Sequence, residues 1–377
     1  MTVKTSIKEI AQVFFKLGCF SFGGPAAHIA MMEEEVVNKR KWMEREHFLD
    51  LIGATNLIPG PNSTEMTMHC GYEKGGSLGL FVAGISFIVP AVLVTGCIAW
   101  LYTTYGQLPK VEPFLWGIKP AVLAIIVSAI LKLGQKALKS TELTVLGCLA
   151  LIACLLGFNE IYVLLFFGLA GALYFNYRNK KKSANVQSII PLLFLQSSTT
   201  AIAQLTTSKI FWVFLKVGAV LYGGGYVLFG YLDGELVAKG LLNPQQLIDA
   251  VAVGQFTPGP VLSTATFIGY QLDGFWGALA ATLGIFLPSF LFVLLLNPFV
   301  PKMRQSSFLS YFLDCVNVAA VAIMVNVLFN MSVATLIDWK AILITLMSLI
   351  ITFALKKVNV MWTVIGGSIL GYLLLLL

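Results

Sequence analysis

At 377 residues, 58% of them hydrophobic and only 11% charged, with a mean hydropathy of +0.84, the chain is excluded from the ordinary soluble domains. Its net charge of +7 does not speak for nucleic acid, because the Lys and Arg residues sit between apolar runs, where they set membrane topology. The apolar runs, Gly79 to Trp100 among them, are continuous rather than alternating and long enough to cross roughly 30 Å of hydrocarbon, so an all-α polytopic membrane protein is expected and a membrane barrel is not.

In chain order the pattern predicts a helix over about 10–32, a proline-broken hairpin over 47–70, and helices over 77–103, 112–133, 142–157 and 160–177. The series returns over 210–232, 246–268, 275–297, 309–331, 341–355 and 359–377. The first apolar stretch contains Lys16 and leads into glycines instead of a small-residue cleavage site, so it is expected to be retained. Cys19, Cys70, Cys97, Cys148, Cys154 and Cys315 have no CxxC spacing and read as small buried hydrophobes, not as a disulfide framework or a zinc site.

The return of the series is an internal duplication. "FFKLGCFSFGGP" (14–25) matches "VFLKVGAVLYGGG" (213–225), with Lys16 over Lys216 and Gly18 over Gly218. The register continues with Glu35 over Glu235, Lys39 over Lys239, Asp50 over Asp249 and Asn56 over Gln255. Pro59-Gly60-Pro61 falls over Pro258-Gly259-Pro260, and Pro90 over Pro288. Three parts follow: an N-terminal repeat (1–182), a cytoplasmic linker (183–208) and a C-terminal repeat (209–377). About five crossings per repeat, an odd number, would turn the second repeat upside down.

Positive charge supports that inversion. Lys39, Arg40, Lys41 and Arg45 face a single Lys239 in the matching loop; Lys110 faces Lys302 and Arg304; Lys132, Lys136 and Lys139 face Lys340; a loop without charge faces Lys356 and Lys357. Each loop rich in one half is poor in the other, as two oppositely inserted halves require. The basic linker Arg178 to Lys182 then lies in the cytoplasm and both chain ends outside, with Lys4 and Lys8 running against this placement.

Within such a chain, "NLIPGPNSTE" (56–65) and "QFTPGPVLST" (255–264) are the irregular elements. Broken backbone at membrane depth survives only where protein or a water-filled cavity satisfies it. Proline removes a donor and glycine permits the turn, so one helix should stop near Ile58 and another start near Pro61 or Asn62. Asn62 with Glu65 has the form of a capping box, and Thr257 is placed to cap the equivalent helix. Helix starts of this kind offer free N–H groups and partial positive charge to an anion, and inverted repeats bring two of them face to face near the midplane. Simple proline kinks that shape the bundle are the alternative.

"SFGGPAAH" and "LYGGGYVL" read either as close helix packing or as unwound segments completing an anion nest. Lys16 and Lys216 lie inside apolar runs just ahead of these glycines, where an ammonium needs a partner, a cavity or an interface to reach. Substrate attraction is the expected role. His28, His47 and His69 lack metal-ligand spacing, so no metal and no cofactor is expected, while His28 and Glu65 are groups able to carry protons. Glu33, Glu34, Glu35 and Glu235 are expected at a solvated helix end or balancing Lys39 and Lys239.

The stretches "LGCFSFGGPAAHI", "LIPGPN", "GQFTPGP", "FIGY" and "GIFLPSF" resemble the chromate ion transporter family, over both halves apart from the linker and the last helices. The resemblance implies a long, two-domain member with secondary transport of chromate, usually efflux conferring resistance, and with sulfate as analogue or counter-substrate. Carried over position by position, the family motifs fall on Phe22, Gly23, Gly24, Pro25 and His28, then on Asn56, Pro59, Gly60, Pro61 and Asn62. In the second half they fall on Gly223, Gly224, Gly225, Gln255, Thr257, Pro258, Gly259 and Pro260, with Tyr222 standing where the motif often has Phe. With Ser63, Lys16 and Lys216 these form the expected substrate site. The expected setting is a bacterial inner membrane, with an oxyanion and the bilayer as partners and the protein a monomer or homodimer. Transport of another oxyanion, a passive anion channel, and an enzyme acting on a lipid phosphate are the competing readings; for the last, neither a Ser/His/Asp set nor an HExxH pattern is present.

Overall fold

The computed structural model describes residues 6–21, 25–106, 112–180, 206–222, 225, 227–299, 306–354 and 360–376. The first half holds α1 (Ile7–Phe20), α2 (Pro25–Met32) with a π-helical extension (Glu33–Lys39), α3 (Arg45–Thr55), α4 (Asn62–Tyr105), α5 (Glu112–Ala137), α6 (Thr141–Leu155) and α7 (Glu160–Lys180). The second repeats it as α8 (Thr207–Val220), α9 (Leu228–Leu232) with a π-helical Asp233–Val237, α10 (Pro244–Phe256), α11 (Thr264–Leu296), α12 (Ser307–Thr335), α13 (Trp339–Ala354) and α14 (Val360–Leu376). Among the described residues there is no strand.

The first helix does not cross. α1 is 14 residues long, and the chain reverses soon after it. It runs inward beside α4, with Ile10 packed near Gly79 and Gly18 against the Phe87 backbone. The chain then turns back through α2, and Arg40 meets Glu9 at 2.7 Å. Residues 40 and 9 therefore share one face of the bundle. A second hairpin follows at once: α3 enters, the Pro-Gly-Pro break reverses it, and the first arm of α4 returns, where Glu73 pairs with His47 at 3.5 Å.

Gly76 then folds α4 on itself. Its backbone (φ 60°, ψ −150°) is open in practice only to glycine, and Gly274 in α11 matches it (φ 54°, ψ −144°). The two arms close so tightly that a Cβ on Gly71 would strike the Gly79 carbonyl; Gly269 and Gly277 form the same contact. Small residues of this kind let membrane helices approach backbone to backbone.

Among the described residues each half therefore makes two re-entrant hairpins and four crossings, and the first of the five expected crossings is a hairpin. Inversion holds on direct contacts rather than on an odd count. The second arms of α4 and α11 run antiparallel, Phe81 stacking on Phe290 at 5.5 Å while Thr95 bonds Ser263 at 3.1 Å. α12 begins where α5 ends, with Lys139 and Asp314 at 2.6 Å, and α5 begins where α14 ends, with Phe114 stacked on Tyr372.

One face gathers Lys8, Arg40, Arg45, Lys139 and Arg178, whereas Lys239 and Lys340 lie on the other. Lys8 no longer opposes the charge rule, because the returning hairpin puts the N-terminal end of α1 on the basic, hence cytoplasmic, face; the expectation of both ends outside is corrected to that extent. The expected linker, 183–208, lies almost wholly outside the described residues. Its described flanks stand on opposite faces: Arg178 pairs with Glu142 on the basic one, and Thr207 bonds Asp273 on the other.

Among the described residues five helices are long and apolar enough to span a membrane, and three shorter apolar ones accompany them. Leu93, Phe166, Leu283 and Ile350 point outward and exposed, as a lipid-facing surface requires, and Trp276, Trp339 and Trp362 near helix starts suit the interface. Cys97 and Cys148 are exposed on that surface while Cys70, Cys154 and Cys315 are buried, and all six cysteines are free.

In a cysteine-free background, single cysteines at positions 8 and 41 will react with an impermeant thiol reagent from one side, and one at position 239 from the other. Reaction of positions 8 and 41 from opposite sides would restore a crossing first helix.

Candidate functional site

The breaks of the two halves interlock. The Gly60 N–H donates to the Leu221 carbonyl at 2.7 Å, and the Gly259 N–H donates to the Ser21 carbonyl at 2.9 Å. Within each Pro-Gly-Pro the flanking prolines have no N–H, so the glycine supplies the tripeptide's sole donor, and the opposite half accepts it. Positive φ at Gly60 (146°) and Gly259 (79°) aims those donors. A Cβ on Gly259 would lie 2.9 Å from the Ala91 side chain and 3.3 Å from the Gly18 carbonyl.

Helix starts converge on this crossing. Pro25 opens α2, Asn62 opens α4, and a 3-10 turn at Val261–Ser263 leads into α11. Neither expected side-chain cap forms. Pro61 is the cap of α4, its carbonyl taking the N–H groups of Thr64 and Glu65 at 2.8 and 3.0 Å. That places Asn62 inside the first turn, where it donates to Asn56 at 2.7 Å. Thr257 closes α10 instead of opening the next helix.

Polar atoms are consequently left over. Ser21 Oγ, His28 Nδ1, Thr64 Oγ1, both oxygens of Glu65, Thr257 Oγ1 and Ser289 Oγ are buried without a hydrogen-bond partner among the described residues. Buried polar groups are rarely orphaned, so a concentration of them at one crossing marks a place built for a polar guest. Glu65 Oε1 and Ser289 Oγ both close on Gly60, where a Cβ would collide with each. His28 stands edge-on to Phe87 at 5.7 Å.

The lysines are placed differently. Lys16 lies 4.0 Å from Glu35, which also meets Lys39 at 3.6 Å and Arg40 at 3.4 Å. Lys216 and Lys239 each hold Glu235 at 2.6 Å. The Lys16 and Lys216 side chains are 64% and 43% exposed, so each charge is turned outward and balanced by a carboxylate. Glu35 and Glu235 are themselves buried, so of the two roles expected for them the solvated helix end does not hold, while the balancing of Lys39 and Lys239 does. Burial pushes the Glu235 carboxyl up, but its bonds to Lys216 and Lys239 outweigh this and hold it below the ordinary carboxylate range.

Two cavities flank the crossing at matching positions of the two halves. On the basic face an open one of about 440 Å³ reaches Asn56 and is lined by Lys136, Lys139, Ser310, Asp314 and Asn317. On the opposite face one of about 390 Å³ is lined mainly by apolar groups such as Ile98, Ile118 and Val364. Its buried Asp249 accepts from the Tyr102 hydroxyl at 2.7 Å and lies 3.6 Å from Lys119.

Phe22, Gly23, Gly24, Gly223 and Gly224 lie outside the described residues. Pro25, His28, Pro59, Gly60, Pro61, Asn62, Ser63, Tyr222, Gly225, Thr257, Pro258, Gly259 and Pro260 fall at the breaks or the helix turns beside them, with Asn56 and Gln255 at the ends of α3 and α10. Ser289 and Lys119 were not singled out from the sequence. Lys119 carried a usable signal, a charge beside Pro120 in an apolar run.

The chromate transporter family model matches residues 8–172 and again 208–372, through the last helices and once per half. The chain is 31% identical over 359 residues to a probable chromate transport protein of Synechococcus elongatus, covering 93% of this chain and 91% of that one. It is 28% identical to the chromate transport protein of Cupriavidus metallidurans, over 97% of this chain and 92% of the relative. An uncharacterized transporter of Methanocaldococcus jannaschii is 29% identical over 98% and 95%. No solved structure matches the chain.

Gly60→Ala and Gly259→Ala should each cost about 1–3 kcal/mol, through backbone strain and displaced neighbours. Gly157 also has positive φ (86°) but nothing near its Cβ position, so Gly157→Ala isolates the strain. Thermal unfolding in detergent should rank Gly60→Ala and Gly259→Ala below Gly157→Ala; equal losses would mean the interlock adds nothing.

Proposed function

The chain belongs to the chromate transporter family, and from that premise we propose that it carries chromate outward across the cell membrane by alternating access. The observation that carries this reading is the crossing: helix starts and unpartnered buried hydroxyls from both halves meet at one place, between two cavities that open toward opposite faces. A tetrahedral dianion matches such a site, since helix N-termini and hydroxyls donate to its oxygens without a metal. The two halves then rock against each other about the interlocked breaks.

Outward direction has two supports. The cavity on the cytoplasmic face is the polar one, and Lys136 on its wall, beside a Lys139 balanced by Asp314, would draw an anion in from that side. The membrane potential, negative inside, favours expelling a dianion by about 4.6 kcal/mol per 100 mV. Sulfate has the same shape and charge and is proposed as analogue or counter-substrate, and resistance to chromate as the consequence of efflux. Lys16 and Lys216, already neutralised by Glu35 and Glu235, are assigned to holding the returning helices rather than to the anion.

In inside-out vesicles with an imposed potential, the parent protein should accumulate labelled chromate. Ser289→Ala and Thr257→Val should each raise the KM about 10-fold or more, as for loss of a hydrogen bond to a charged group. The Lys16→Ala, Lys216→Ala pair should stay within about 3-fold, because exposed ion pairs contribute little. Absence of chromate accumulation would sink the reading, and a collapse confined to the lysine pair would return the substrate to the lysines.

A further inference from the structure

Glu65 stands apart from every other carboxylate at the crossing. It is fully buried, lies in the first turn of α4, and its two oxygens have no hydrogen-bond partner among the described residues. No Lys, Arg or His forms an ion pair with it in the described structure, whereas Glu9, Glu33, Glu34, Glu35, Glu73 and Glu142 of the first half each meet a cation. A carboxylate with neither donor nor cation is compatible with burial only as the neutral acid.

The groups facing it leave that conclusion in place. Tyr222, from the break after α8, is near enough to sense its charge. α2 brings His28, whose Nδ1 is itself unpartnered. From α10, Asp249 is taken up by Tyr102 and Lys119. Lys16 on α1, and Arg45 and His47 on α3, pair away toward the basic face, and Asp273 on α11 bonds Thr207 on the opposite one.

We propose that Glu65 is the proton-binding site of this transporter, and that a proton and the oxyanion cross together. The inference rests on the oxyanion reading above. An ionised Glu65 beside the site repels a dianion, whereas the neutral acid can turn its O–H toward an anion oxygen, as Ser289 Oγ at the same glycine can. Anion and proton therefore favour each other's binding at the crossing. When the site opens to water on the far face, the anion leaves and the carboxyl ionises, releasing the proton on that side. The net charge moved is then one negative charge per cycle instead of two.

The test uses the full-length protein in liposomes loaded with sulfate, or with chromate at alkaline pH, so that the anion itself carries no proton. The potential is clamped with potassium and valinomycin, and a pH-sensitive dye fills the lumen. Outward anion flow should alkalinise the lumen in the parent, one proton per anion. Glu65→Gln, which cannot take up or release a proton, should lose the luminal alkalinisation per anion carried, whatever its rate of anion flow. Anion flow without alkalinisation in the parent, or alkalinisation that survives Glu65→Gln, overturns the proposal and leaves the transport reading standing. The parent's dye signal decides alone where Glu65→Gln does not fold. Absence of flow of either anion in the parent overturns the transport reading and this proposal with it.

Discussion

A broken backbone in hydrocarbon must have its N–H and C=O groups satisfied by protein, and in this fold each half satisfies the break of the other. The Gly60 and Gly259 donors cross to the Leu221 and Ser21 carbonyls, so neither half's re-entrant hairpins are complete alone. Everything else follows from keeping those hairpins at the centre. Gly76 and Gly274 fold the returning arms onto the crossing helices, and Gly18 and Gly218 seat α1 and α8 against the backbones of Phe87 and Ile285.

The architecture was legible where the signal was covalent or repeated. Pro-Gly-Pro at matching positions announced the breaks, because proline's missing donor does not depend on surroundings. Inversion was legible from alternating lysines and arginines, because charge placement acts during insertion rather than through packing. The turned-back first helix was not legible, since a 14-residue helix followed by glycines and a second apolar helix has the hydropathy of one long span. Its signature was Lys8, a charge on the wrong face of the simpler topology.

Side-chain roles were harder to read, for a physical reason. Recurrence of Lys16 and Lys216 showed that both positions matter but not which way each side chain points; the structure gives them Glu35 and Glu235, the partners that recur in the same register. Asn62 and Thr257 looked like caps because the local pattern fits, yet prolines occupy the cap positions and displace them. The displaced polar groups, with Ser289 arriving from the opposite half, make the candidate site. Only the fold brings Ser289 to Gly60 across more than half of the chain.

The two halves are alike in plan and unlike in state. Lys119, Tyr102 and Asp249 form a buried cluster beside the apolar cavity, where the equivalent cavity on the basic face is open and charged. The two cavities thus differ in lining, one mainly apolar and the other polar. The account depends above all on the interlocked breaks being the place where the anion sits. Hydrogen–deuterium exchange over residues 56–62 and 255–261, with and without chromate, tests this most directly, since Gly60 and Gly259 supply the sole amide within each Pro-Gly-Pro. Slow exchange in both segments, slowed further by chromate, is the predicted result; rapid exchange, or chromate protection confined to the helices around Lys16 and Glu35, would contradict it.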